Sequence, residues 1–264
     1  MQRVSIVVPC CNEEEAVRLL PSRLFPVLER LAATYELQLV LVDDGSGDAT
    51  WAEIAAIREQ AAWPTLLARH SPNRGLGAAL NTGCELATGE IVVTLDADGT
   101  YPFPIIEELI AAIAAGADVA TVSPYHREGG VAGVSPLRLF FSRGASLCYR
   151  ALVDRRIATY TALVRAYRAE VLHAAAVSHP GFLNVAMTLV EARRRGARIV
   201  EVPAILAQRE VGVSKARVMR ITRSHLRYMW QIFLLRITGR FWLPMPRVAP
   251  VAAPWGAAGT VHHG

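Results

Sequence analysis

The sequence predicts an α/β fold, a mostly parallel sheet with helices on both faces. Short β-branched apolar runs alternate with amphipathic helical stretches through the first half of the chain, the pattern of successive βαβ units. Polar, acid-rich clusters follow the ends of those runs. Hydrophobic residues make up 52% of the 264, which is ample for a buried core and excludes a disordered chain.

The elements follow in order. Residues 4–8 (Val-Ser-Ile-Val-Val) read as a strand and 13–33 as a helix. Residues 37–42 form a second apolar run, and 49–62 a helix with Asp48 as candidate N-cap. A short strand is expected at 65–68 and a helix at 77–87. Residues 91–95 (Ile-Val-Val-Thr-Leu) are the fourth strand, and 104–115 carry apolar residues at helical spacing. Beyond Thr121 the pattern loosens. Residues 126–133 read as a Gly-rich loop, 137–152 and 183–195 as helices, and 198–202 as a strand closed by Pro203. A basic helical stretch begins at 216. Residues 244–264 hold four Pro, three Gly and five Ala and are expected to be a disordered tail.

Composition excludes several classes. No window reaches the ~18 charge-free apolar residues of a membrane span, and the most apolar helical window, 228–243, carries Arg236 and Arg240. The apolar run after Arg3 is too short for a signal peptide and meets Asn12-Glu13-Glu14-Glu15 almost at once, so a cytoplasmic protein is expected. Four cysteines, two of them adjacent (Cys10, Cys11), suit neither a disulfide framework nor a zinc site and read as free thiols. From Ala204 onward nine Lys and Arg face one acid, Glu210, whereas the first 203 residues hold 19 basic and 22 acidic side chains. That asymmetry implies an anionic partner at the C-terminal end. Nucleic acid is not expected, because the basic residues are not interleaved with stacking aromatics.

Ligands on parallel sheets bind at the carboxyl ends of the strands. Asn12-Glu13, Asp43-Asp44-Gly45-Ser46 and Asp96-Ala97-Asp98 would therefore share one edge. Like charges gathered at one edge repel unless a cation joins them. Asp96 and Asp98 at i and i+2 of an extended segment point the same way, and hard carboxylate oxygens favour Mg2+ or Mn2+. Such an ion recruits phosphate oxygens, so a diphosphate is the natural cargo. Asn73-Arg74-Gly75-Leu76-Gly77 opens a helix, and helix N-termini favour anions. The nicotinamide-dinucleotide fingerprint is incomplete, since Leu80 stands where its third Gly belongs.

Together these residues resemble the family 2 glycosyltransferases, in particular the dolichyl-phosphate mannosyltransferase-like branch. The resemblance spans roughly residues 3–230. It rests on Pro9-Cys10-Cys11-Asn12-Glu13, Val42-Asp43-Asp44-Gly45-Ser46, Asn73-Arg74-Gly75-Leu76-Gly77, Asp96-Ala97-Asp98-Gly99, and Arg209 with Gly212-Val213-Ser214-Lys215, in family order. It implies a GT-A fold with a mixed sheet, a nucleotide-sugar donor (GDP- or UDP-hexose) and a divalent metal. By position it assigns Pro9, Glu13 and Asp43, with Asp44 beside them, to the nucleotide. Asp96, Ala97 and Asp98 go to the metal and diphosphate, with Asp96 and Asp98 as ligands. Asp98, Arg209 and Lys215 carry the catalytic role, the two basic residues closing over the phosphates. The sequence departs from the family at three places: Cys11 replaces the Tyr before Asn-Glu, Pro124 replaces the Arg before Tyr125, and Ala162-Leu163-Val164-Arg165 replaces Ser-Gly-Phe-Arg.

A phosphate-monoester acceptor needs no general base, because its second pKa of about 6 leaves it mostly dianionic at neutral pH. The chain lacks the Gln-x-x-Arg-Trp motif of processive synthases and shows no obvious acidic base pair before the C-terminal helix. A polyprenyl phosphate is therefore the expected acceptor, with Arg143 and Arg165 as candidate contacts. Alternatives are transfer to a hydroxyl of a soluble metabolite or lipid, and a non-catalytic nucleotide-sugar-binding subunit. At about 100° per residue, Arg217, Arg220, Arg223 and Arg227 share one helix face, and Val218, Leu226, Met229, Phe233 and Ile237 the other. That pattern suits an interfacial helix on a membrane surface or a helix packed on its own domain. The expected organisation is a GT-A domain at 1–215, a basic amphipathic segment at 216–243, whose 216–240 meets the inner membrane face peripherally, and the tail at 244–264.

Overall fold

The structure, a computed structural model, describes residues 1–208, 218–240 and 261–263. The strands are β1 (Arg3–Cys10), β2 (Glu36–Asp43), β3 (Thr65–His70), β4 (Ile91–Thr94), β5 (Val119–Ser123), β6 (Gly130–Ala132), β7 (Arg165–Arg168), β8 (Ile199–Pro203), β9 (Ile205–Ala207) and β10 (Val261–His263). The helices are α1 (Glu14–Ala32), α2 (Thr50–Gln60), α3 (Leu76–Leu86), α4 (Ile105–Ala114), α5 (Pro136–Leu152), α6 (Ala169–Ala175), α7 (Leu183–Arg194) and α8 (Val218–Ile237).

Eight strands form one mixed sheet in the order β10-β3-β2-β1-β4-β7-β5-β8, and β6 and β9 form a small second sheet. β1 pairs in parallel with both β2 and β4. The chain therefore winds outward in one direction from β1 through β2 to β3, then crosses to the other side at β4. In open α/β sheets such a reversal is where ligands bind, outside the carboxyl ends of the strands, here β1, β2 and β4. β7 is antiparallel to both β4 and β5.

The apolar runs of β1, β2 and β4 are buried on both faces, as a covered parallel sheet requires. One face packs Leu20, Leu24 and Leu28 of α1, Ile54 and Ile57 of α2, and Ile106, Leu109 and Ile113 of α4. The other packs Ala79 of α3, Leu189 of α7, and Tyr228, Met229 and Ile232 of α8. Each buried Leu or Ile contributes roughly 1.5–3 kcal/mol of hydrophobic stabilisation. Helix α3 approaches the sheet closely because Gly83 has no side chain; a Cβ there would collide with Val7 Cγ1.

Several expectations are corrected. The region after Thr121 is more regular than its sequence pattern, with β7 and α6 both present, and β5 straddles Thr121. Part of the expected loop at 126–133 is β6, paired with β9. Of the tail, Val261–His263 forms an edge strand beside β3, and the rest lies outside the described residues. Helix α8 packs on the domain through His225, Tyr228, Met229 and Ile232, so Met229 does not share an outer face with Leu226, Phe233 and Ile237.

Candidate active site

The three acidic clusters follow the carboxyl ends of β1, β2 and β4, which are neighbours in the sheet. In the sheet register Cys10 lies opposite Asp43, and Val7 opposite Thr94, two residues before Asp96. The loops after β1 and β2 are clasped together. Asn12, at φ 50°, accepts a hydrogen bond from Gly47 N–H at 2.8 Å, and its own N–H donates to Ser46 Oγ at 2.8 Å. Glu13 N–H donates to Thr50 Oγ1 at 2.8 Å, and Ala49 N–H to Glu14 Oε2 at 2.9 Å. Burial first, then the negative charges of Glu13 and Asp43, push the Cys10 thiol pKa well above its usual value. Both acids thus border the end of β1, beside buried Pro9.

Adjacent acids Asp43 and Asp44 have different partners: Asp43 ends β2, and Asp44 opens the loop that follows it. Asp43 is fully buried; its Oδ1 accepts Ser46 N–H at 3.0 Å. Its Oδ2 lies 2.9 Å from Arg69 Nε as an ion pair, yet no hydrogen bond is directed at that oxygen. Arg69 in turn lies 5.3 Å from the Trp51 ring centroid.

Asp44 is occupied internally. Its Oδ1 is 2.7 Å from His70 Nδ1 and accepts Arg74 N–H at 2.9 Å, while Oδ2 accepts Gly75 N–H at 2.8 Å. Burial raises its pKa, but these hydrogen bonds outweigh that and leave it below the usual carboxylate value. Asp44 therefore anchors the loop into α3 with both carboxylate oxygens engaged internally, unlike the ligand contact expected of it. The start of α3 is also not an open anion site: Gly77 N–H donates to Pro180 O at 2.8 Å. Gly75 and Gly77 serve close packing, since a Cβ at either would collide with the carbonyl oxygen of Pro180 or His179.

Asp96 is half-buried, and Ala97 and Asp98 are buried. Asp98 Oδ1 accepts Thr100 N–H at 3.0 Å and the Thr100 hydroxyl, which fixes the turn through Gly99 at φ 67°. Arg23 of α1 reaches this turn; a Cβ on Gly99 would lie 3.3 Å from its Nη1. Behind the turn sits buried Tyr101, whose pKa is raised by burial first, then by Asp96 and Tyr125, against the opposing pull of Arg138 and Arg165. Among the described residues no three His, Cys, Asp or Glu side chains converge as a metal cage. Two carboxylates nevertheless fit Mg2+ or Mn2+ bound jointly with substrate phosphates, since such ions take one or two protein carboxylates and complete their shell with phosphate and water.

The two acceptor arginines separate. Arg143 is exposed, its guanidinium 5.4 Å from the Tyr125 ring centroid. Arg165 is fully buried. It donates to Thr121 Oγ1 at 3.2 Å, Tyr167 OH at 3.3 Å, Val185 O at 2.5 Å and Tyr160 O at 2.9 Å. With every nitrogen engaged, Arg165 ties β5, β7 and α7 together and cannot receive an acceptor. Arg209 and Lys215 lie outside the described residues. Sequence reasoning missed Arg23 of α1 and Arg69 of β3, which reach the acidic edge from elements outside its loops; the clustering of acids there is the signal that cations are needed.

The glycosyl transferase family 2 profile matches residues 5–174. Dolichol-phosphate mannosyltransferase of Pyrococcus furiosus is 31% identical over 87% of this chain and 63% of its own length. Undecaprenyl-phosphate 4-deoxy-4-formamido-L-arabinose transferase of Sodalis glossinidius is 30% identical over 84% of this chain and 65% of its own. The chain thus spans somewhat under two-thirds of these two curated relatives. Polyprenol monophosphomannose synthase of Mycolicibacterium smegmatis is 33% identical over 81% of each chain. Among solved structures, glucosyl-3-phosphoglycerate synthase of Mycobacterium tuberculosis, in complex with Mn2+, UDP-glucose and phosphoglyceric acid, superposes with TM-score 0.64. It is 17% identical and covers 88% of this chain and 79% of its own. That likeness establishes the GT-A fold.

Proposed function

The chain belongs to glycosyl transferase family 2, and from that premise we propose that it moves a hexose, with inversion, from a nucleoside-diphosphate sugar to a polyprenyl phosphate. The observation that carries the reading is the meeting of Asp43, Asp96 and Asp98 at one sheet edge, where β1 separates β2 from β4. The names of the three relatives, each a transferase or synthase for a polyprenyl-type phosphate, support the acceptor class.

Asp43 binds the nucleotide, its Oδ2 taking an N–H or O–H of the base or ribose. Pro9, Glu13 and Ala97 line the same end of the sheet. Asp96 and Asp98 would hold Mg2+ or Mn2+, which when bound offsets the charge developing on the leaving diphosphate. Arg209 and Lys215 close over that diphosphate from the C-terminal side. Arg143 draws in the acceptor phosphate, which attacks as a dianion without a base. We assign the transferase domain to residues 1–215. Residues 216–243 give peripheral contact with the inner membrane face.

Purified protein, labelled UDP- or GDP-hexose and polyprenyl phosphate provide the test. A chloroform-soluble, mild-acid-labile product is expected. Transfer only to hydroxyl acceptors, or donor binding without turnover, would overturn the reading in favour of a metabolite transferase or a non-catalytic subunit respectively.

A further inference from the structure

Asp43, the last residue of β2, has no exposed surface. A ligand therefore reaches its Oδ2 by taking the place of a group that covers that oxygen. Arg69 is the partly exposed group in contact with it. The two residues stand opposite each other in the parallel register of β2 and β3. Arg69 Nε lies 2.9 Å from Oδ2, and the arginine side chain is 33% exposed.

Three observations show that Arg69 is held more firmly from its far side than by Asp43. Its contact with Oδ2 is close, yet Oδ2 receives no directed hydrogen bond. Its Nη2 donates to Ser46 O at 3.3 Å, a long bond. Its guanidinium carbon lies over the ring of Trp51, in the first turn of α2, 5.3 Å from the centroid. That cation–π contact does not depend on Asp43. A buried carboxylate oxygen without a directed hydrogen bond is costly. Oδ2 is thus set to exchange an ill-aligned cation for a well-aligned donor.

We propose that Arg69 reads the base of the nucleotide. An N–H of the entering base takes Oδ2, and the displaced guanidinium, still seated on Trp51, donates to the carbonyl next to that N–H. The inference deepens the nucleotide-donor reading above and rests on it. A carboxylate only accepts and a guanidinium only donates. Side by side they match an N–H beside a C=O. Uracil presents that edge at N3–H with O4, and guanine at N1–H with O6. Arg69 is then a specificity residue that touches the base, and Trp51 is the residue that positions it.

Calorimetric titration of the full chain with UDP, GDP, 4-thio-UDP and 6-thio-GDP tests this. Sulfur is a weaker acceptor than oxygen. For whichever diphosphate wild type binds, its thio analogue is expected to bind about tenfold more weakly. Arg69→Met should bind the oxygen parent about tenfold more weakly than wild type does, and no better than the thio analogue. Arg69→Lys keeps a cation against Asp43 and serves if Arg69→Met does not fold. It should show the same loss of discrimination, since an ammonium has no planar fork to extend from the Trp51 ring. Binding of Mn2+-pyrophosphate, which has no base, should stay at wild-type strength in both variants; a general loss of the site would lower it. Equal wild-type affinity for the oxygen and sulfur forms overturns the base-reading role. So does discrimination that survives in both variants, or pyrophosphate binding that falls as far as nucleotide binding. The expected thio pattern, without transfer to polyprenyl phosphate, would retain the role of Arg69 and refute the acceptor reading. Wild type that binds neither UDP nor GDP overturns both.

Discussion

His70 Nδ1 lies 2.7 Å from Asp44 Oδ1, with both side chains buried in the wall behind the carboxylate edge. A carboxylate can only accept, so Nδ1 carries the proton, and Nε2, 3.0 Å from Thr82 Oγ1, is held in place from α3. The Asp44 carboxylate then fastens the amides of Arg74 and Gly75, and Asn73 Nδ2 donates to Asp44 O at 2.6 Å. His70→Ala strips a buried charge of one partner and should cost about 3 kcal/mol, read as a lower urea midpoint. A loss below about 0.5 kcal/mol would show that the amides of Arg74 and Gly75 suffice.

Asp98→Ala should lower hexose transfer by at least about 10²–10³-fold, the usual effect of losing one group that stabilises developing charge. Its structural cost is smaller, about 1 kcal/mol for the orphaned Thr100 amide. Steady-state kinetics and a thermal melt separate the two effects. Addition of EDTA should abolish wild-type turnover and Mn2+ should restore it; full activity in chelator would contradict the assignment of Asp96 and Asp98.

Arg143 and Arg165 should behave oppositely. Arg165→Met leaves Thr121, Tyr160, Tyr167 and Val185 with unmet polar atoms in the core, so a stability loss of about 2–4 kcal/mol is expected. Arg143→Ala, at an exposed site, should change stability by under about 0.5 kcal/mol while raising KM for a phosphate acceptor. Chemical denaturation and acceptor titration of the two variants check the contrast, and a stable Arg165→Met with weak acceptor binding would reverse it.

His225, against Tyr149, has its pKa lowered by burial, and further by His179, to about 4 from the usual 6.5. The native imidazole stays neutral where the unfolded one takes up a proton, so stability is full above about pH 6.5 and falls as pH drops towards 4. The total loss from this group should be about 3 kcal/mol. Urea midpoints at pH 7 and 4.5 should differ less in His225→Asn than in wild type; equal differences would show that His225 titrates normally.

The parallel half of the sheet is legible in the sequence because β1, β2 and β4 are covered on both sides and read as short, mainly apolar runs of Val, Ile and Leu. Strand β7 is hidden, since its Arg-Ala-Tyr-Arg sequence has the polarity of a surface segment. It is a central strand only because Thr121, Tyr160, Tyr167 and Val185 supply acceptors for Arg165. The same hidden partners misdirect the reading of Arg165 as an acceptor contact.

By itself the sequence determined where the first four strands run and which acids follow their ends, because strand ends follow from hydrophobic pattern and turn residues; the order β3-β2-β1-β4 that makes those ends neighbours came from the structure. Tertiary structure alone decided which partner each acid meets. Asp43 and Asp44 are equivalent in one dimension, yet both are buried, and Arg69 of β3 reaches only the first while His70, 26 residues from Asp44, reaches only the second. It also decided that α8 is apolar on two sides at once, since which side meets the domain depends on α5 and α7, and helical periodicity contains no information about neighbours.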